Sequence, residues 1–133
     1  MIRQRSVRVG LTAMAVVLLV GACAIEATYR GHIEIWNRTE TPIKIIGRER
    51  TLVVPPCGHL AADDFVLNRY FIADAEGRFV AWHGGGGPDP AFEVVTADPA
   101  LLYSSSDPPP EPLPPCRGIL KGQPGPVDES LRP

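Results

Sequence analysis

Short apolar runs separated by turn residues fill the middle of the chain, and this pattern predicts β-strands. Residues 32–36 alternate polar and apolar side chains, which places Ile33 and Ile35 on the side of the core. Similar runs, rich in Ile, Val, Phe, Tyr and Trp, recur about every ten residues without a helical period of useful length. We therefore expect residues 31–103 to form an all-β domain, a small antiparallel β-sandwich or partly open barrel of about six to seven short strands.

The clearest hairpin joins the runs 70–73 and 78–82. Gly77, in the turn between them, suits a left-handed backbone position. Both faces of the two runs carry large apolar side chains, which predicts that this hairpin lies at the centre of its sheet.

A second hairpin is expected between residues 32–36 and 42–46, with the polar turn 37–41 between them. Pro42 begins the second run, where a missing amide hydrogen is tolerated. The first strand of this hairpin then lies nearer to an edge, and Trp36 is predicted to be the more exposed tryptophan. Further strands are predicted at residues 51–54, 65–67 and 92–95.

Residues 104–133 form a proline-rich tail according to their composition. The segment 108–115 should be extended polyproline II without internal hydrogen bonds. Such a segment serves as a stiff spacer or as a ligand for an aromatic groove. Residues 118–133 contain nothing that could be buried, and we expect disorder or loose packing there.

The N-terminus has the layout of a secretory signal. Three arginines precede an uncharged apolar stretch at residues 9–20. At about a dozen residues, this stretch is shorter than the roughly 20 that a helix needs to span a bilayer. The segment Val20-Gly21-Ala22-Cys23 follows, and it resembles the lipobox of bacterial lipoproteins, in which an aliphatic residue and two small residues precede a cysteine.

The resemblance to bacterial lipoproteins implies that residues 1–22 are a cleaved signal peptide and that the Cys23 thiol is acylated. Residues 23–30 are then a lipidated linker, and two or three acyl chains such as palmitate hold the protein on the extracytoplasmic face of a membrane. Ala24 is not the aspartate that acts as a retention signal in enterobacterial lipoproteins, which favours the outer membrane where the host has one. An uncleaved signal-anchor helix and ordinary cleavage near Cys23 are the alternatives.

The chain has three cysteines. Acylation of Cys23 would leave Cys57 and Cys116 as a pair. In an oxidising compartment the two are expected to form a disulfide, worth about 4 kcal/mol for a loop of roughly 60 residues. This bridge would pin the tail at Cys116, and two unpaired thiols are the alternative.

Cleavage before Cys23 would also change the formal net charge from −2 to −5, because it removes three arginines and no acid. The domain that remains is mildly acidic. Nucleic acid and anionic lipid headgroups bind basic surfaces, so neither is expected as a partner.

His83 and the glycines that follow it, Gly84, Gly85, Gly86 and Gly87, resemble the His-Gly-Gly-Gly oxyanion loop of lipases and esterases. That resemblance implies backbone amides that stabilise a tetrahedral intermediate. The chain lacks the Gly-x-Ser-x-Gly elbow, the length for an α/β-hydrolase sheet and a second histidine downstream. We therefore interpret these residues as a flexible loop and a candidate ligand site without catalytic residues.

Metal ligands are not clearly indicated by the sequence. Zinc sites show ligands at short characteristic spacing, and Cys57 and His59 are the only close pair. A disulfide at Cys57 would prevent it from binding metal. Asp63 and Asp64 are adjacent, so on a strand they would point to opposite faces, and we expect them in a solvated bend. No metal or cofactor is predicted.

Beyond the signal, the pattern I-x-I-x-N-x-T at residues 33–39 and the Pro-Cys-Gly turn at residues 56–58 loosely resemble small uncharacterised bacterial lipoproteins. This resemblance implies no activity. The sequence predicts a lipid-anchored envelope protein with a non-enzymatic binding or structural role, whose partners are the membrane and another envelope component or a small ligand. The alternative is a small enzyme or a metal-handling accessory protein that uses His59 or His83.

Overall fold

The computed structural model describes residues 28–84 and 87–124, and in these ranges the chain forms β-strands and one short 3-10 helix, Pro99–Leu101. The predicted signal peptide and Cys23 lie outside the described residues. The strands are β1 (Arg30–Asn37), β2 (Ile43–Gly47), β3 (Thr51–Val54), β4 (His59–Val66), β5 (Arg69–Ala73), β6 (Phe79–Gly84), β7 (Ala91–Val95) and β8 (Tyr103–Ser105).

These strands form two four-stranded sheets. The first sheet has the order β4-β1-β7-β8 and the second has the order β3-β2-β5-β6. All neighbouring strands are antiparallel except β1 and β7, which are parallel. The predicted small β-sandwich is confirmed; it has more strands than expected, and the sheets do not close into a barrel.

The core lies between the two sheets, where alternate residues of each strand meet. Ile33 and Ile35 of β1 are fully buried, as their alternation predicts. The Tyr70 ring of β5 packs edge-to-face against Phe65 of β4, with ring centroids 5.7 Å apart. The same cluster contains Ile43, Ile45, Val54, Leu67, Ile72, Ala91, Val95 and Leu120.

The hairpin predicted between residues 32–36 and 42–46 is wrong, because the two strands belong to different sheets. β1 pairs with β4 and β7, whereas β2 pairs with β3 and β5. The polar segment 37–41 therefore carries the chain from the first sheet to the second.

Asn37, at the end of β1, holds this crossing together. Its side chain is fully buried, and its amide nitrogen donates to the carbonyl oxygens of Thr41, Val54 and Pro55 at 2.8, 3.2 and 3.0 Å. Its side-chain oxygen accepts from both the amide and the hydroxyl of Thr39. These bonds satisfy backbone carbonyl groups where the chain passes between the two sheets.

The hairpin of β5 and β6 is confirmed, and Gly77 in its turn has a φ of 81°. Its predicted central position is wrong, because β6 is an edge strand and β1 has a neighbour on each side. Trp82 on this edge is 56% exposed. Trp36 is only partly exposed and stacks on His59 and Phe92, with ring centroids 4.6 and 6.3 Å away. The predicted order of exposure of the two tryptophans is therefore also wrong.

The strand predicted at residues 65–67 is the end of a longer one, β4. Asp63 and Asp64 lie within β4 and not in a separate bend, and both are exposed. Asp64 has a φ of 55°, and the ladder with β1 shifts register between Gly31 and Ile33. The bend expected at Asp63 and Asp64 is therefore a local irregularity within β4.

The tail is fixed to the sandwich by covalent and polar contacts. The predicted disulfide is confirmed: Cys57 and Cys116 are joined, with their Cα atoms 5.5 Å apart. Before this bridge the tail follows the outer face of the first sheet, where Arg38 Nε donates to the carbonyl oxygen of Pro114 at 2.7 Å.

Beyond the disulfide, the tail also contributes to the core. Leu120 is 2% exposed and belongs to the core cluster. The amide of Gly122 donates to Asp74 Oδ2 at 2.8 Å, which holds the segment beside the β5–β6 turn. The expectation that residues 118–133 bury nothing is therefore wrong for residues 118–124, the part that the structure describes.

Candidate functional site

A pocket of about 280 Å³ opens where β6 ends, β7 begins and β8 ends. The described residues that line it belong to these strand ends and the loops beside them: Leu67, His83, Gly84, Gly87, Asp89, Pro90, Ala91, Ser105 and Ser106. The structure thus places His83, Gly84 and Gly87 of the predicted ligand loop at this pocket, but the loop interpretation is wrong for His83 and Gly84, which are the last residues of β6 and pair with β5. Gly85 and Gly86 lie outside the described residues.

Beside His83 lies a buried charged side chain, Glu93 of β7, which is fully shielded from solvent. Its Oε1 accepts hydrogen bonds from the Tyr70 hydroxyl and, at 2.7 Å, from Ser104 Oγ. Ser104 Oγ is also 3.0 Å from His83 Nδ1, and the Tyr70 ring stacks on the His83 ring with centroids 4.9 Å apart. These four residues, here called the Glu93 cluster, connect β7 and β8 of the first sheet with β5 and β6 of the second.

Burial perturbs the titration of the Glu93 cluster. It raises the pKa of Glu93 to about 7, although the hydrogen bonds from Tyr70 and Ser104 act in the opposite direction. Burial also lowers the pKa of His83, so this ring is neutral at neutral pH. Glu93 Oε2 is buried without a hydrogen-bond partner among the described residues. A buried carboxyl group with an unsatisfied oxygen opposes folding, and strongly shifted groups of this kind concentrate at functional sites.

Strand register explains why Glu93 points inward. On the parallel ladder Glu93 is opposite Ile35, whose side chain faces the core. Glu93 is the one charged residue in the run 91–95, all of which is buried. That isolated charge was the available sequence signal, but without the ladder nothing indicates which face of the strand meets the core.

The Glu93 cluster differs from the catalytic triad of serine hydrolases. In the triad, the serine bonds to histidine Nε2 and the acid bonds to Nδ1. Here both Ser104 Oγ and Glu93 Oε1 lie on the Nδ1 side of His83, at 3.0 and 3.6 Å. Ser104 therefore bridges the acid and the histidine and is not placed as a nucleophile.

The other histidines lie away from this pocket, on the outer face of the first sheet. His32 Nε2 and His59 Nε2 contact the two oxygens of Glu34 at 3.1 and 2.9 Å, and His32 Nδ1 contacts Asp63 at 2.7 Å. The bonds to Asp63 and Glu34 raise the pKa of His32. His59 and His83 belong to different sheets. Across the described part of the chain, no group of three or more His, Cys, Asp or Glu side chains is arranged to hold a metal ion.

The comparisons with known proteins give no relative: no family model, curated protein or solved structure matches this chain. Within residues 28–84 and 87–124, no helical segment has the length and hydrophobicity that crossing a bilayer requires.

Proposed function

We propose that this protein is a lipid-anchored protein of the bacterial envelope with a non-enzymatic binding role, and that its binding site is the pocket beside the Glu93 cluster. The observation that carries the binding site is a fully buried Glu93 with an unsatisfied oxygen, which two successive hydrogen bonds through Ser104 connect to the pocket residue His83. Buried charged groups are often replaceable by apolar ones without loss of stability, so stability alone does not account for Glu93. A few convergent polar groups beside apolar walls are typical of ligand sites.

The lipid anchor is supported by the arginines, the short apolar stretch and the lipobox-like segment that ends at Cys23. The disulfide between Cys57 and Cys116 is consistent with export, since such bonds persist in oxidising compartments.

Labelling cells with a palmitate analogue tests the anchor. The wild type should be labelled and Cys23→Ser should not. Cys57→Ser is the matched control, because it removes a cysteine and leaves the proposed acylation site intact. Equal labelling of wild type and Cys23→Ser would show that Cys23 carries no acyl chain.

The binding role is tested by filling the pocket. A Cβ added at Gly87 meets no atom within 4 Å, so Gly87→Trp can place a large ring at the pocket without a clash at its base. Ala75→Trp, at an exposed position of the β5–β6 turn, adds the same ring elsewhere. A ligand present at 100 times its Kd stabilises the folded protein by about 2.7 kcal/mol.

We therefore expect wild type and Ala75→Trp to melt at a clearly higher temperature in intact cells than after purification, and Gly87→Trp to show only the small difference that crowding causes. Crowding contributes only about 0.2 to 1 kcal/mol and acts on all three proteins alike. An equal shift for Gly87→Trp and wild type would rule out a ligand in this pocket.

A further inference from the structure

The Ser104 hydroxyl has one proton and two neighbours that compete for it. Ser104 Oγ lies 2.7 Å from Glu93 Oε1 and 3.0 Å from His83 Nδ1. An ionised carboxylate only accepts hydrogen bonds, so Ser104 donates to Glu93 and must accept from His83. The proton of the neutral imidazole is therefore on Nδ1.

The second ring nitrogen, Nε2, then carries a free lone pair. His83 lines the pocket and its Nδ1 is engaged by Ser104, so Nε2 is the polar atom that the imidazole offers to a ligand. The ring lies at 8° to the stacked Tyr70 ring, which keeps its plane fixed. His83 thus presents a hydrogen-bond acceptor to the pocket.

The other residues that line the pocket also favour a ligand that donates hydrogen bonds and carries positive charge. Asp89 supplies a carboxylate, Ser105 supplies a hydroxyl, and Leu67 and Ala91 supply apolar surface. Of the described residues that line the pocket, none is a lysine or an arginine. Glu93 adds negative charge behind His83 when it is ionised, and a cation is attracted more strongly there than in open water because part of the solvent is excluded.

We infer that the pocket binds a small molecule with an ammonium group, which donates to His83 Nε2 and pairs with Asp89, while its aliphatic part lies against Leu67 and Ala91. This inference rests on the proposed binding role and adds the chemical class of the ligand. A carboxylate ligand would face Asp89 and a histidine lone pair without a compensating cation.

Three molecules with the same four-carbon chain test this inference: putrescine, butane-1,4-diol and succinate. Each is titrated into the full lipidated protein in detergent micelles at pH 8, where Glu93 is mostly ionised. The readouts are the ¹⁵N shifts of the His83 ring and the amide shifts of Gly84 and Ala91. Before any ligand is added, we expect the ¹⁵N shifts of the His83 ring to be those of the Nδ1–H tautomer. Of the three molecules, only putrescine should then change the ring and amide shifts in a saturable way.

Two variants separate the contact with His83 from general charge attraction. Ser104→Ala removes the bridge that sets the His83 proton on Nδ1, and we expect putrescine to bind about tenfold more weakly, as for the loss of one charge-assisted hydrogen bond. Asp63→Asn removes an exposed carboxylate on the outer face of the first sheet and should leave binding unchanged.

The outcomes distinguish the ligand class from the binding role. Saturable shifts at Gly84 and Ala91 with succinate or the diol, equal to those with putrescine, would overturn the ammonium inference and still support a binding pocket. Unchanged putrescine affinity in Ser104→Ala would overturn the role of His83. If putrescine, butane-1,4-diol and succinate all fail to bind, the ammonium inference is also overturned. The binding role itself is tested separately, by the melting temperature of Gly87→Trp in cells.

Discussion

Glu93→Gln tests whether the core of this sandwich holds a carboxyl group that titrates near neutral pH. Glutamine has nearly the same shape, and its side-chain oxygen can accept from Tyr70 and Ser104 as Glu93 Oε1 does. It carries no charge at any pH. The difference in unfolding free energy between the two proteins therefore isolates the titration of Glu93.

The sign and size of the effect follow from the raised pKa. The ordinary value is 4.5 and the folded value is about 7, so the folded protein holds this proton more tightly than the unfolded chain does. The contribution of Glu93 to stability is thus full below pH 4.5, falls as the pH rises towards 7 and is constant above that. At about 1.4 kcal/mol for each pKa unit, the total loss is about 3 kcal/mol.

Two other titrating groups face Glu93. The pKa of His83 is lowered, so its contribution to stability is present above pH 6.5 and is lost as the pH falls, which is the opposite sign. Tyr70 has a raised pKa, and its contribution changes only in the alkaline range. Both groups remain in Glu93→Gln, so their contributions largely cancel in the difference.

The measurement is urea denaturation of both proteins, with the disulfide intact, at pH values from 4 to 8. We expect Glu93→Gln to gain about 3 kcal/mol relative to wild type between the acid and the alkaline end of this range. Glu111→Gln, at an exposed position in the tail, is the control and should follow the wild type across the range. A constant difference between Glu93→Gln and wild type at all pH values would refute a buried carboxyl group with a pKa near 7.

The remaining predictions concern the connections between the two sheets and the tail. Asn37→Ala removes the buried bonds at the crossing and should lower the unfolding free energy by about 2 to 4 kcal/mol in guanidinium denaturation; a loss below 1 kcal/mol would contradict this role. Replacing both Cys57 and Cys116 with serine should cost about 4 kcal/mol in the same assay, and an unchanged midpoint would contradict it. Leu120→Ala should cost about 2 to 5 kcal/mol because Leu120 packs in the core, and a change near zero would contradict that packing.

Local patterns predicted the burial of single strand residues and one of the two expected hairpins. The β5–β6 hairpin needs only two neighbouring runs and Gly77 between them, and all of these are adjacent in sequence. The burial of Ile33 and Ile35 needs only the two-residue period of a strand. The hairpin predicted between residues 32–36 and 42–46 was wrong although the two runs are neighbours in sequence, because β1 pairs instead with β4 and, in parallel, with β7, more than fifty residues later.

In the candidate site, too, the sequence predicted what depends on neighbouring residues and missed what depends on distant ones. His83 and its glycines are recognisable by residue type, and the structure places the described ones at the pocket. Tyr70, Glu93 and Ser104 come from three other strands, and no spacing in the sequence relates them. The burial of Leu120 was missed for a similar reason, since the short apolar pair Ile119-Leu120 in a proline-rich and glycine-rich tail has no period that would indicate a core position.

The open side of the sandwich explains why the Glu93 cluster lies where it does. β6 and β8 are edge strands of different sheets, so their outer backbone groups are not joined by a ladder. The hydrogen bond between His83 and Ser104 spans this gap, and Glu93 and Tyr70 continue the contact inward between the sheets. A closed barrel would place a backbone ladder here and leave less room for polar side chains. The failure of the two sheets to close therefore creates both the pocket and the polar groups beside it, which is why we place the binding site at this edge and not on the outer face of either sheet.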